Sequence, residues 1–268
     1  TQNVAVSGTV LTTPAITTNP SNTSVTVNGN TTLTAAASSS PTSYTWQVST
    51  DGGSTWTTIS NGGVYSTATT ATLTITGATY AMNGYQYKVS ATGCSSTSSY
   101  STIATLTVNY CTPSSTASTT YISNFSLSNT ITTINNTTTY ATSGYGNYYA
   151  TASASQYNSS VVNFSVTIVG GTAGIGIWID YNNNGLFTDA GENVYNSAAY
   201  MSTGTTTGSF TVPSGASAGD KRLRVITDYN ATSPTSCVAA SSTRGEAEDY
   251  KFTVVAPQLP TITSLGST

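Results

Sequence analysis

Two stretches of this sequence gather oxygen-bearing side chains. In DYNNNGLFTDAGE, Asp180, Asn182 and Asn184 stand two residues apart just ahead of Gly185, a spacing that lets short side chains curl around one hard cation, with calcium (Ca2+) the natural guest. Leu186 could add a backbone carbonyl, and Asp189 and Glu192 follow within the same loop. An EF-hand would need its bidentate Glu at the twelfth position, which is Gly191 here, so Glu192 arrives one step late. The loop follows the strand-like GIGIWI without a flanking helix, and a metal-free Asn- and Gly-rich hairpin is the competing reading. In the second stretch, RGEAEDY, Glu246 and Glu248 lie two residues apart, hence on one face of an extended chain, with Asp249 on the other. These glutamates either complete a cation site with the Asp180 loop or pair with Arg222, Arg224 or Arg244. Arg222 and Arg224 also share one face of KRLRV, and a structural ion pair is expected for Arg224.

That clustering is conspicuous because only 6% of the 268 residues are charged, with a net charge of −3. Eight of the nine acids and five of the six bases lie between Asp180 and Lys251. Ser and Thr, 97 residues together, must therefore solvate most of the surface. The chain has no His, which excludes the serine triad, the His-ligated zinc site and the His general base. No GxSxG, CxxC, phosphate-binding Gly loop or HExxH occurs, and the carboxylates show no arrangement that would mark a glycosidase, so no enzyme is expected. Without a basic face, nucleic acid is not an expected partner. Membrane insertion is not expected either, since VVNFSVTIVGGTAGIGIWI is broken by Asn, Ser, Thr and Gly. The opening TQNVAVSG is not a signal peptide, so the sequence reads as a processed or internal piece.

The elements that must carry these groups are strands. Thr, Val, Ile and Tyr abound, period-2 alternation recurs between Gly, Asn, Ser and Pro clusters, and no apolar stripe of helical period appears. The length suits two domains. Seven short segments over residues 14–109 suit an all-β sandwich, with Asp51, Gly52 and Gly53 turning YTWQVST into STWTTIS. After Cys111 the candidate strands start at Tyr121, Val161, Gly174, Gly208, Lys221 and Glu248.

WQVSTDGGSTW, ATLTIT and NGYQYKV resemble the immunoglobulin-like repeats of bacterial extracellular proteins. The resemblance implies that Trp46 is the central core Trp and Tyr85 a tyrosine corner. It also puts Tyr87 and either Leu33 or Ala35 where the usual core cysteines stand, so packing must hold this module. Residues 110–256 resemble the GEVED domain through the YCTP opening, IWIDYNNNGLFTDAGE, TVPSGASAGDKRLRV and GEAEDYKFTV, with Ala247 in place of the usual Val. This implies a β-sandwich, expected here to be jelly-roll-like, in multidomain proteins secreted by the type IX route of bacteria. In such a compartment three cysteines imply one disulfide and one spare. Cys111 with Cys237 would staple both ends of the second sandwich and is the expected pair, with Cys94–Cys111 as the alternative. Residues 1–13 are expected to be a linker or the tail of a preceding strand, and 257–268 a linker or the start of another module.

The resulting expectation is a structural or adhesive segment of a large bacterial surface fibre or adhesin, calcium-stabilised and touching other copies or modules of the same protein, or surface glycans. The alternative is a carbohydrate-binding or accessory region of a secreted hydrolase, for which Tyr145, Tyr148 and Tyr149 in YGNYYA are the candidate stacking residues.

Overall fold

The computed structural model describes residues 12–93, 96–237 and 244–257. The expected linker or strand at residues 1–13 therefore lies almost wholly outside the described residues, as do Cys94 and nearly all of 257–268. The chain divides into two compact units, Thr1–Tyr110 and Cys111–Thr268. Among the described residues every regular element is a strand apart from two single 3-10 turns.

The first unit holds β1 (Ile16–Thr18), β2 (Thr23–Thr26), β3 (Thr31–Thr34), β4 (Ala36–Ala37), β5 (Ser43–Ser49), β6 (Thr57–Thr58), β7 (Tyr65–Ser66), β8 (Thr72–Ile75), β9 (Gln86–Thr92) and β10 (Ala104–Asn109). A five-stranded sheet β2-β10-β9-β5-β6 faces a three-stranded sheet β3-β8-β7, with β1 and β4 paired beside them. Between them Trp46, Leu33, Leu73, Ile75, Tyr87, Val89 and Leu106 are buried. The indole N–H of Trp46 donates to the Thr70 carbonyl at 2.9 Å, so its burial leaves no polar atom unpaired. Tyr87 hydrogen-bonds the Tyr65 hydroxyl at 3.1 Å, while Tyr85 packs half-buried at the edge of the core. The DGG turn forms with φ of 71° at Gly52 and 94° at Gly53, and β5 pairs β6 over Gln47↔Thr58 and Val48↔Thr57. That pairing is shorter than the STWTTIS pattern suggests, because Asp51 diverts residues 53–55 by accepting the Thr55 N–H and hydroxyl. β2 and β7, both short and half-exposed, carry too little periodicity to be read from sequence.

The second unit holds β11 (Tyr121–Ser128), β12 (Asn135–Thr137), β13 (Tyr145–Asn147), β14 (Ser153–Tyr157), β15 (Val161–Val169), β16 (Gly174–Asp180), β17 (Asn193–Asn196), β18 (Gly204–Thr211), β19 (Gly219–Asp228) and β20 (Gly245–Val255). One sheet runs β12-β11-β15-β18; the other runs β13-β20-β19-β16-β17, with β14 also paired to β20. Ile175, Ile177, Ile179, Leu223, Val225, Tyr250, Phe252 and Val254 of the larger sheet pack on Ile122, Phe125, Phe164, Val166, Ile168 and Phe210 of the smaller. Alternation puts the even residues of β16 and β19, and the odd residues of β20, on the far side of the larger sheet. Yet Trp178, Arg224, Ala247 and Asp249 are buried there too, because loops cover that side. The Cys111–Cys237 disulfide, Cα atoms 5.6 Å apart, ties two of the covering segments together.

Candidate functional site

The acidic loop grows out of the end of β16. Asp180 is fully buried and its carboxylate accepts the N–H groups of Asn184 at 3.2 Å and Gly185 at 2.8 Å. The tight curl needs left-handed backbone, supplied by Asn183 at φ 58° and Gly185 at φ 83°. Asn182 and Asn184 then lock the turn through their own side-chain oxygens, which accept the N–H groups of Asn184 and Leu186 respectively, both at 2.9 Å. Their amide nitrogens both donate to Asp189, at 3.0 and 2.6 Å. Glu192 closes the loop by accepting the Tyr181 N–H at 3.1 Å and the Asp189 N–H at 3.3 Å. Burial, followed by the charges of Asp180 and Asp189, pushes the Glu192 carboxyl up to about 7.

Five of the sequence-predicted ligands, Asp180, Asn182, Asn184, Asp189 and Glu192, thus belong to one loop. Among the described residues, no group of three or more Asp, Glu, Cys or His side chains is placed to hold a metal ion, and the three carboxylates of the loop are each engaged by N–H or amide donors. In geometry, Asn182 and Asn184 turn nitrogen rather than oxygen toward Asp189, so a cation there would rest on the carboxylates and require those carboxamides to rotate. Leu186 contributes an N–H donor to the turn. Sequence reasoning passed over Lys221, which is buried beside this loop, donates to Ser217 at 3.0 Å and is pushed down by burial while the Asp180 charge holds it up. A cavity of about 260 Å3 adjoins the loop, lined by Tyr181, Asp189, Glu192, Pro213, Ala216 and Ser217.

Glu246 and Glu248 do not join this loop, which corrects the expectation that they could complete its cation site. Register opposes Asp180 to Arg222 and Arg222 to Lys251, whereas Glu248 opposes Val225. The glutamates therefore lie two strands over and several residues along from Asp180, on the core-facing side of the sheet. Nor do they pair with arginine, whose side chains in β19 occupy the other face. Glu246 instead accepts two backbone N–H groups, from Ile122 at 2.9 Å and Ala141 at 2.6 Å. Glu248 accepts the Thr138 and Tyr250 hydroxyls, both at 2.8 Å. Burial pushes Glu246 up to about 7, and burial together with the Glu246 charge pushes Glu248 up to about 8.

The ion pair belongs to Asp249. Arg224 reaches it through Nε at 2.6 Å and Nη2 at 2.8 Å, both groups fully buried, and Arg222 adds a contact at 3.0 Å. Burial alone would raise the Asp249 carboxyl, but the Arg224 and Arg222 guanidiniums and the Tyr145 hydroxyl together outweigh it and hold the group below its ordinary range. The remaining Arg224 donors go to the Ser236 carbonyl at 2.9 Å and the Cys111 sulfur at 3.2 Å, so the disulfide segments are seated on this guanidinium. Phe187, from the acidic loop, lies under it at 4.8 Å. The two acidic stretches are thus linked through Phe187, Arg224 and Asp249 rather than by a shared ion. Arg244 lies over Tyr229 and donates to Thr119 at 2.9 Å.

Every residue of GEAED is held in a defined place. Gly245 has φ 143°, and a Cβ there would fall 2.3 Å from the Thr227 carbonyl oxygen. Glu246 and Glu248 hold the segments crossing the core side, Ala247 is buried opposite Tyr145, and Asp249 holds Arg224. The YGNYYA tyrosines are not an open platform. Tyr145 donates to Asp249 at 2.7 Å, Tyr148 stacks on Tyr250 with ring centroids 5.5 Å apart, and Tyr149 lies beneath Arg222 at 4.5 Å.

Residues 174–253, from β16 through most of β20, match the family described as the GEVED domain. The comparison with curated proteins gives no match. Among solved structures, the titin domains z1z2 in complex with telethonin are 15% identical, covering 93% of this chain and 100% of theirs with a TM-score of 0.31. The N-terminal four Ig domains of Dscam1 isoform 7.44 are 10% identical, covering 90% of this chain and 46% of theirs with a TM-score of 0.32. Neither likeness extends to what those proteins bind. The protein is an all-β chain of tandem sandwiches, the second of which matches the GEVED domain model over residues 174–253. No helix among the described residues is long and apolar enough to cross a membrane.

Proposed function

We propose that this chain is a non-catalytic structural or adhesive segment of an extracellular bacterial surface protein exported by the type IX route, with calcium tying down the 180–192 loop. The supporting observation is the use made of charge. Arg224, Glu246, Glu248 and Asp249 have no exposure, and each carboxylate is engaged by backbone or side-chain donors that hold strands and covering loops in place. Such groups fix an architecture rather than face a substrate. Outward, the surface is hydroxyl and amide, suited to contact with other modules of the same surface protein or with glycans.

In the 180–192 loop Asp180, Asp189 and Glu192 would have to draw together from their present positions to hold the ion, which would supply charge neutralisation and cross-link the loop. Thermal unfolding in calcium and in chelator tests this. An ion bound to the folded state alone, at a hundredfold excess over its Kd, adds about 2.7 kcal/mol, so the midpoint of the second unit should rise by several degrees and Asp180→Ala should abolish the rise. Equal midpoints in calcium and chelator would reduce the loop to a hydrogen-bonded turn.

A further inference from the structure

A sheet edge presents a row of main-chain N–H and C=O groups, and natural sheets blunt their edges with short strands, charges, prolines or bulges. Among the described residues, the edges follow this rule with one exception. β6 and β7 have two residues, β12 and β13 three, β2 and β3 four, and β14 five. β17 has four and meets β16 through a register shift. β18 has eight. Its pairing with β15 runs unbroken from Val161↔Thr211 to Ile168↔Gly204, and GTTTGSFT contains neither charge nor proline. The whole sheet β12-β11-β15-β18 lacks a charged residue in any strand. Thr205, Thr207, Ser209 and Thr211 are exposed, while Thr206 and Phe210 turn inward.

We propose that β18 is a self-association edge, at which two copies of this chain pair their β18 strands antiparallel about Gly208 and join two four-stranded sheets into one. The inference rests on the reading above for its partner, a further copy of the same surface protein. The strand is self-complementary about that centre: Thr205 meets Thr211, Thr207 meets Ser209, and inward Thr206 meets Phe210. Cross-strand Thr–Thr and Thr–Ser pairs stabilise antiparallel ladders, and the protein already uses them. Thr167 and Thr205 hydroxyls lie 2.9 Å apart across β15 and β18, and those of Thr34 and Thr72 lie 3.2 Å apart across β3 and β8. With no charge on the sheet, no like-charge repulsion opposes the approach.

Sedimentation of the full chain over a concentration series tests this, comparing it with a Thr207→Lys, Ser209→Lys double variant and with Thr137→Lys on the opposite edge. The expected result is a concentration-dependent dimer whose dissociation constant rises at least about tenfold in the double variant and is unchanged in Thr137→Lys. Independently of how the lysine variant folds, oxidising a mixture of Thr207→Cys and Ser209→Cys chains should give a 207–209 cross-link, identified by peptide mapping. A chain that stays monomeric throughout and yields no such cross-link overturns the proposal, as does a dimer indifferent to the lysine pair. The calcium response is measured on the monomer, so either reading can fail without the other.

Discussion

The two sandwiches of this chain bury polar chemistry in different ways. The first unit contains two charged residues, Asp51 and Lys88, both outside its core, and the polar groups it buries, among them the Trp46 indole, the Tyr87 phenol and the Ser49 and Ser90 hydroxyls, are uncharged. The second seals Arg224, Asp249, Glu246 and Glu248 away from water. Apolar burial is non-directional and tolerates small shifts, whereas a buried ion is tolerated only with its partners in place. The first unit is therefore held by volume and the second also by register, since β19 and β20 must align for Arg224 to meet Asp249.

The strongest test of that contrast is Arg224→Ala, which leaves Asp249 buried without its principal partner. A loss of about 3–5 kcal/mol is expected, appearing in calorimetry as collapse of one transition while the other keeps its midpoint. If both transitions moved together, the units would not be independent. The mirror experiment is Trp46→Ala, expected to cost about 3–5 kcal/mol through the lost burial and the cavity left behind. Here the first unit's transition should fall and the second's should stay.

A more gradual effect separates the units by pH. Glu246 and Glu248 are raised to about 7 and about 8, above the ordinary 4.5 of the unfolded chain. Between those limits the folded state holds protons that the unfolded chain has released, so the stabilisation present at low pH is lost as pH rises. Asp249, held below its ordinary range, acts in the opposite sense, and its contribution is lost only as pH falls below about 4. With Glu192, also raised to about 7, acting in the same sense, the second unit should thus be most stable near pH 5 and lose on the order of 5 kcal/mol by pH 8, with the first unit nearly flat over that interval. Glu248→Gln keeps the hydrogen-bonding shape and should flatten the slope. A slope that survives Glu248→Gln unchanged would assign the titration elsewhere.

How much of this was legible beforehand differs by element. β5, β15, β16 and β20 stand out in the sequence because alternation or continuous apolar runs identify them, whereas β12, β13 and β17 are three or four residues long and rich in Asn or Gly, so they acquire strand geometry only from their neighbours. The two-residue spacing of Glu246 and Glu248 correctly places them on one face with Asp249 on the other. Which face meets the core cannot be read from that spacing, since both sides of β20 are covered and the alternation of polarity is lost. Lys221 was missed for a related reason: a lysine in a strand reads as solvent-facing until its neighbours enclose it.

The amino-acid sequence by itself determined the all-β class, the scarcity of charge outside residues 180–251 and the curl of the Asp180 loop, because composition, period and Asn–Gly turn chemistry act over a few neighbouring residues. Only the tertiary structure decided that Asp249 takes the arginines, that Glu246 takes the Ile122 and Ala141 N–H groups and Glu248 the Thr138 hydroxyl far along the chain, and that Phe187 connects the two acidic stretches. Those outcomes depend on strand register and on which loops close over a sheet, and contacts from 25 to 124 residues apart in sequence leave no local pattern to read.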